Sequence, residues 1–209
     1  MTPHPPTVFI VDDDLSVLKG LTRLLRSAKL NPVTFASPQE FLDRHDPTQP
    51  GCLVLDVAMP GLDGLQLQQA LITRGCEIPI IFLTGHGDIP MSVRAMKRGA
   101  IDFLTKPVRD EDLLKAIRAA LVADQSRRQA QAELAGIRHR LATLTTRERE
   151  VLEHVLAGQL NKQIAEDLGI VEKTIKVHRG RMMEKMGVTS VAELVHLCEL
   201  AGVKAISIR

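Results

Sequence analysis

The sequence predicts an α/β chain in which a five-stranded, doubly wound parallel sheet (residues 1–122) is joined by a helical linker (123–142) to an all-α, four-helix domain (143–209). Three observations predict it. Residues 7–104 alternate apolar runs of strand length with amphipathic stretches, and a parallel crossover needs a connection of helix length. From Asp110 the pattern turns wholly helical and stays so. Beyond residue 143 the helical stretches are short and stopped by Gly158, Gly169 and Gly187. At 209 residues, 44% hydrophobic and 25% charged, the chain is long for one domain and sufficient for two, each with its own core.

The strand runs are Val8-Phe9-Ile10-Val11, Pro32 to Phe35, Cys52 to Leu55, Ile78 to Leu83 and Ile101 to Leu104, each β-branched or flanked by Gly or Pro. Between the first two, Leu15 to Ala28 carries Val17, Leu18, Leu21, Leu24 and Leu25 on one helical face. Past Asp110, the apolar positions Leu113, Ile117, Leu121, Leu134, Ile137 and Leu141 mark a last helix of the sheet domain running into the linker. That linker is expected to bend or break near Gly136 and to be mostly solvated from Asp124 to Ala132, and a heptad pairing with a second copy is open to it.

In the C-terminal region, Thr145 with Glu148 three residues on makes a capping box that opens a helix to about Ala157. Helices over Asn161 to Leu168 and Glu172 to Met186 follow, separated by a three-residue turn, and Ser190 caps a fourth. Two helices joined through so short a Gly-containing turn have helix-turn-helix spacing.

No apolar run approaches the roughly 20 residues that span a bilayer, and Met1 to Thr7 lacks the apolar core of a signal peptide, so a cytoplasmic chain without membrane contact is expected. Cys52, Cys76 and Cys198 form no zinc-ligand spacing and read as small buried residues. The net charge of +2 is uneven: 13 Lys+Arg against 14 Asp+Glu through residue 122, then 14 against 11, or −1 and +3. This is a weak pointer to a polyanionic partner at the C-terminal end.

The chemistry concentrates at strand ends. The first strand ends in Asp12-Asp13-Asp14, the third in Asp56, the fourth in Thr84, and the fifth is followed by Lys106-Pro107. Ends at one edge of a parallel sheet converge, where ligands of such sheets sit. Carboxylates crowded there repel unless a proton or a divalent cation neutralises them, and Mg²⁺ is the natural oxygen-liganded ion. A lone aspartate at a strand end is more often a helix cap or turn residue. A carboxylate nucleophile, a dication, a hydroxyl and a fixed positive charge together form a phosphoryl-transfer site, with Asp56 accepting the group as an acyl phosphate.

These residues resemble the receiver domain of two-component response regulators, whose fold is flavodoxin-like, over residues 7 to about 122. The matches are Asp12 and Asp13, Asp56 in a block that runs through Met59-Pro60-Gly61 to Asp63-Gly64, Thr84, and Lys106-Pro107. The resemblance implies Asp56, Thr84 and Lys106 as the catalytic residues. It implies Mg²⁺ on the acidic pair Asp12 and Asp13, on Asp56, and on the carbonyl of Ala58. It also implies a switch in which Thr84 moves inward and Phe103 turns, although simple strand packing would explain a Phe there as well. His86 and Ala58 flank the expected path of a hydrolytic water and would tune the lifetime of the phosphate.

The Glu172 to Met186 helix carries Lys173, Lys176, Arg179, Arg181 and Lys185, leaving Ile175, Met182, Met183 and Met186 for a core. A basic helix face is usually only solvated. With helix-turn-helix spacing it becomes a candidate for the major groove. There is no Trp or Tyr and no Phe beyond Phe103, so no aromatic platform exists for unpaired bases, which favours duplex DNA.

The region resembles the LuxR-type DNA-binding domain of the NarL/FixJ regulators in Leu144-Thr145-Thr146-Arg147-Glu148 through Val151-Leu152, then Gly158, Asn161-Lys162, Ile164-Ala165, Leu168-Gly169 and Thr174 to Arg179. It implies base contacts from Lys176 and Val177, and phosphate contacts from Lys162, Thr174, His178, Arg179 and Lys185, with Lys173 on the same basic face. Val171 stands where that family usually has a capping Ser, and Gly180 where some members place a base-reading side chain.

Taken together, the resemblances imply a phosphorylation-dependent transcription regulator. A sensor histidine kinase would phosphorylate Asp56, and the phosphorylated form would dimerise through residues 88–122, bind double-stranded DNA and contact RNA polymerase. It would be no enzyme beyond its own phosphorylation and slow dephosphorylation. A haloacid-dehalogenase-like hydrolase is the competing reading, because Asp12, Asp14 and Ser16 follow an apolar strand, with Asp12 as nucleophile. A third reading is a constitutive DNA-binding protein whose first domain is only a dimer scaffold.

Overall fold

The computed structural model describes residues 5–85 and 89–203 and divides the chain into two compact units, Met1–Arg128 and Gln129–Arg209. In the first unit, β1 (Thr7–Val11), β2 (Asn31–Phe35), β3 (Gly51–Leu55), β4 (Ile80–Thr84) and β5 (Asp102–Thr105) form one parallel sheet. Its strand order is β2-β1-β3-β4-β5, so the chain reverses direction across the sheet between β1 and β3. Helices α1 (Leu15–Ser27), α2 (Pro38–Arg44), α3 (Gly64–Thr73) and α4 (Ile89–Lys97) make the crossovers, and α5 (Asp110–Ala142) follows β5.

The period-two alternation of the strands builds two cores. Phe9, Val11, Leu53, Leu55 and Phe82 face Phe41 of α2, Leu67 and Leu71 of α3, and Ala95 of α4. Val8, Ile10, Cys52, Val54, Ile81 and Leu83 face Leu18, Leu21 and Leu25 of α1 and Leu113 and Ile117 of α5. Burial on both faces explains why the strands read as continuous apolar runs. Gly51 is required at the start of β3, because a Cβ there would lie 2.0 Å from the Thr7 carbonyl oxygen.

Helix α5 departs from expectation. It runs unbroken for 33 residues, through Gly136. A single glycine costs a helix interior only about 1 kcal/mol, and the next residue, Ile137, is fully buried in the core of the second unit. The stretch from Asp124 to Ala132 is mostly exposed, as expected, with Asp124, only 2% exposed, and the half-buried Arg127 and Arg128 as exceptions. Leu113 and Ile117 are buried in one core, and Ile137 and Leu141 in the other.

In the second unit, α6 (Thr146–Leu156), α7 (Asn161–Leu168), α8 (Glu172–Met186) and α9 (Val191–Leu200) match the expected helices. Thr145 and Glu148 form the capping box, and Gly169 and Gly187 end α7 and α8 at positive φ. Val151, Leu152, Ile164, Ile175, Met182, Met186, Leu194 and Cys198 share a core with Ile137 and Leu141. No described helix is long and apolar enough to cross a membrane.

Candidate functional site

At the carboxyl edge of the sheet, on either side of the β1/β3 reversal, Asp12 and Asp56 emerge from adjacent strands and stay buried, 3% and 5% exposed. The Asp56 N–H donates to the Val11 carbonyl at 2.9 Å, which fixes the two strand ends side by side. From the far side of the sheet, Lys106 reaches both: its Nζ lies 2.6 Å from Asp12 Oδ2 and 2.8 Å from Asp56 Oδ1. The Lys106 backbone N–H donates to the carbonyl of Thr84 at 2.7 Å, and Thr84 is fully buried. Behind this edge, Phe103 packs half-buried with its ring 5.9 Å from that of Phe82.

One ammonium thus serves two carboxylates. Burial pushes the Asp12 carboxyl above its ordinary range, against the pull of its hydrogen bonds from Lys106 and the Asp14 N–H. Burial would lower Lys106, but its hydrogen bonds to Asp12 and Asp56 outweigh it and hold the ammonium above its ordinary value.

The remaining acidic positions separate. Asp13 is exposed, and so is Ala58. Asp14 caps α1, its carboxylate accepting from the Ser16 N–H at 2.7 Å, and is exposed. Among the described residues, no group of three His, Cys, Asp or Glu side chains is arranged to hold a metal ion. Two buried carboxylates within 2.8 Å of one cationic nitrogen nevertheless suit a hard cation that takes few protein ligands and keeps its waters. His86 lies outside the described residues.

Gly64, the first residue of α3, presses on the site from behind: a Cβ there would lie 2.2 Å from the Asp56 carbonyl oxygen. Asp63 caps the helix in a capping box with Gln66, so the Asp-Gly pair both starts α3 and lets it approach the strand end.

In the second unit, Lys162, Lys173, Lys176 and Val177 are exposed, and Val177 is an apolar side chain on a charged face, 46% exposed. Thr174, His178 and Arg179 are half-buried, and Arg179 donates to Asn161 Oδ1 of α7 at 2.9 Å. Lys176 makes a surface pair with Glu172 at 3.1 Å. Neither α7 nor α8 has a side-chain hydrogen bond from its N-cap, since Leu160 and Val171 stand there. Lys185 stands apart from the other basic residues, with its ammonium 2.6 Å from the buried carboxylate of Glu148.

A second buried charge cluster went unnoticed in the sequence. Asp124 of α5 accepts from the Gly51 N–H at 3.0 Å and from Arg128 Nε at 2.8 Å, and Arg127 also donates to it. Arg128 further donates to the carbonyls of Pro47, Thr48 and Gln49. The i,i+3 and i,i+4 spacing of Asp124 with Arg127 and Arg128 was a readable signal of helical ion pairs. The partner at Gly51 was not.

The fold and the site define a class, the response regulators, to which the chain belongs. Residues 8–118 match the response regulator receiver domain, and residues 142–198 match the luxR family of bacterial regulatory proteins. Nodulation protein W of Bradyrhizobium diazoefficiens is 48% identical over 198 residues, 95% of this chain and 87% of its own length. FixJ of Azorhizobium caulinodans is 44% identical over 203 residues, 96% and 95% of the two chains. Among solved structures, the response regulator StyR is 50% identical with a TM-score of 0.88, covering 94% of this chain and 99% of its own. The chain is a transcriptional regulator with receiver and LuxR-type DNA-binding domains.

Proposed function

We propose that Asp56 accepts a phosphoryl group from a sensor histidine kinase, and that the phosphorylated chain dimerises, binds double-stranded DNA and contacts RNA polymerase in the cytoplasm. The observation that carries this is the buried Asp12–Lys106–Asp56 contact at the carboxyl edge of the sheet, with both carboxylates within 2.8 Å of one ammonium. A carboxylate oxygen of Asp56 attacks the phosphorus and forms an acyl phosphate as the bond to the kinase imidazole breaks and the electron pair leaves with that nitrogen. Lys106 neutralises charge on the arriving oxygens, and Asp12 holds Lys106 in place. The Asp12, Asp13 and Asp56 carboxylates and the Ala58 carbonyl would hold Mg²⁺, which supplies positive charge to the transferring group.

Thr84 binds a phosphoryl oxygen, and the inward shift of its loop gives Phe103 room to turn, remodelling the surface of residues 88–122 through which the chain dimerises. On DNA, Lys176 and Val177 read bases, while Lys162, Lys173, Thr174, His178 and Arg179 contact phosphates. Treating the protein with acetyl phosphate and Mg²⁺ tests the reading: an acid-stable, base-labile label on Asp56 is expected, none in Asp56→Asn, and tighter operator binding only in the wild type. Label on Asp12 instead would restore the hydrolase reading, and equal operator affinity with and without label would favour the constitutive one.

A further inference from the structure

We infer that Glu148 is a positioning residue for α8, acting through Lys185, and that the Lys185 ammonium is committed inside the domain instead of to a DNA phosphate. The inference rests on the reading of α8 as the DNA-facing helix and deepens it.

Glu148 is the one buried acidic side chain among the described residues of the second unit, 3% exposed. Its Oε2 accepts from the Thr145 N–H at 2.9 Å, closing the capping box of α6, and from Lys185 Nζ at 2.6 Å. Lys185 stands in the last turn of α8 and also donates to the Thr143 carbonyl, just past the end of α5, at 3.0 Å. A single carboxylate–ammonium contact therefore joins the end of α5, the start of α6 and the end of α8. The same end of α8 is held again where Arg140 of α5 donates to the Met186 carbonyl at 2.8 Å. Farther up the helix, Arg179 ties α8 to Asn161 of α7 at 2.9 Å. The recognition helix is thus fixed along its length by polar contacts from three other elements.

Turning Lys185 toward a phosphate would leave the buried Glu148 carboxylate without its counter-charge, held only by the Thr145 N–H, a larger loss than a solvated phosphate contact returns. Lys162 and Lys173 are exposed, and Lys176 has only the surface pair with Glu172, so these can turn to DNA at little cost.

The two roles separate by salt dependence, because each phosphate contact adds about one unit to the slope of log affinity against log salt. The full-length protein is titrated over a salt series with a duplex selected by the wild type from a randomised pool, and with a scrambled duplex. Lys185→Met and Glu148→Gln are each expected to weaken the selected duplex about tenfold, with an unchanged slope. Neither should change affinity for the scrambled duplex. Lys173→Met, which removes an exposed phosphate-contact residue, should lower the slope by about one.

If Lys185→Met does not fold, two variants carry the test. The double variant Glu148→Gln/Lys185→Met removes both charges and is expected to match Glu148→Gln. Lys185→Arg keeps the pair and is expected to bind like the wild type. A slope lowered by about one in Lys185→Met or in the double variant, with both duplexes weakened and Glu148→Gln silent, overturns the inference. A wild type whose binding to every duplex is weak and insensitive to salt overturns the DNA-binding reading itself.

Discussion

Two buried aspartate clusters lie at opposite ends of one sheet and differ in how far their charge is balanced. At the amino edge, Asp124 takes two guanidinium groups and a backbone N–H, and Arg128 goes on to satisfy three carbonyls of the loop before β3. The carboxylate is saturated, and the cluster ties α5 to the sheet. Its field also reaches the fully buried Cys52, whose thiol burial and the Asp124 charge push up to about 12, so that sulfur is inert. At the carboxyl edge, Asp12 and Asp56 share one ammonium. Burial without balance is costly for stability, and it leaves negative charge for a cation and a carboxylate for a nucleophile. Under the proposed function, the difference separates a structural staple from a reactive site by local charge count alone.

The largest break in this comparison should come from Asp124→Ala. Removing the carboxylate takes the shared counter-charge from Arg127 and Arg128 and the acceptor from the Gly51 N–H, so a loss of about 3 kcal/mol in urea unfolding is expected. Phosphate acceptance by the surviving folded protein should persist. Gly64→Ala should cost about 2 kcal/mol, because its Cβ would displace the Asp56 carbonyl. Unlike Asp124→Ala it should also slow labelling by acetyl phosphate, a rate that separates the two edges.

Asp12→Asn should move the other way. Without divalent cations at neutral pH it is expected to stabilise the first unit by about 1 kcal/mol while impairing phosphorylation, as relief of a strained site does. An unchanged or lower melting temperature would mean that Lys106 already balances the pair. The smallest effect is a pH dependence. The folded Asp12 carboxyl titrates above its unfolded value of 3.8, so its contribution to stability is complete below that value and is lost as pH rises through the folded one. The difference in melting temperature between Asp12→Asn and wild type should therefore shrink as pH falls toward 4.

Much of this was legible in the chain. Strand runs buried on both faces, glycine stops and capping-box spacing are local signals, and the helices of the second unit fall where those signals put them. The four groups at the carboxyl edge were readable because parallel strands deliver their ends to one place whatever the loops do. Within α5 the helix itself was legible, but its continuity through Gly136 and the burial of Asp124 were not, because the Gln, Arg and Ala around Asp124 carry no apolar period and its Gly51 partner is set by the fold. The contact of Lys185 with Glu148 was hidden for a related reason: on the helical face Lys185 is one basic residue among five, and its partner lies 37 positions away.

The sequence by itself determined the order of elements, the parallel sheet and the arrival of acidic side chains at one of its edges, since each follows from patterns within a turn, a strand or a strand end. Only the tertiary structure decided which charges are spent on holding the fold and which are left for chemistry. That depends on how many opposite charges meet a carboxylate once water is excluded, a count made across long separations in the chain.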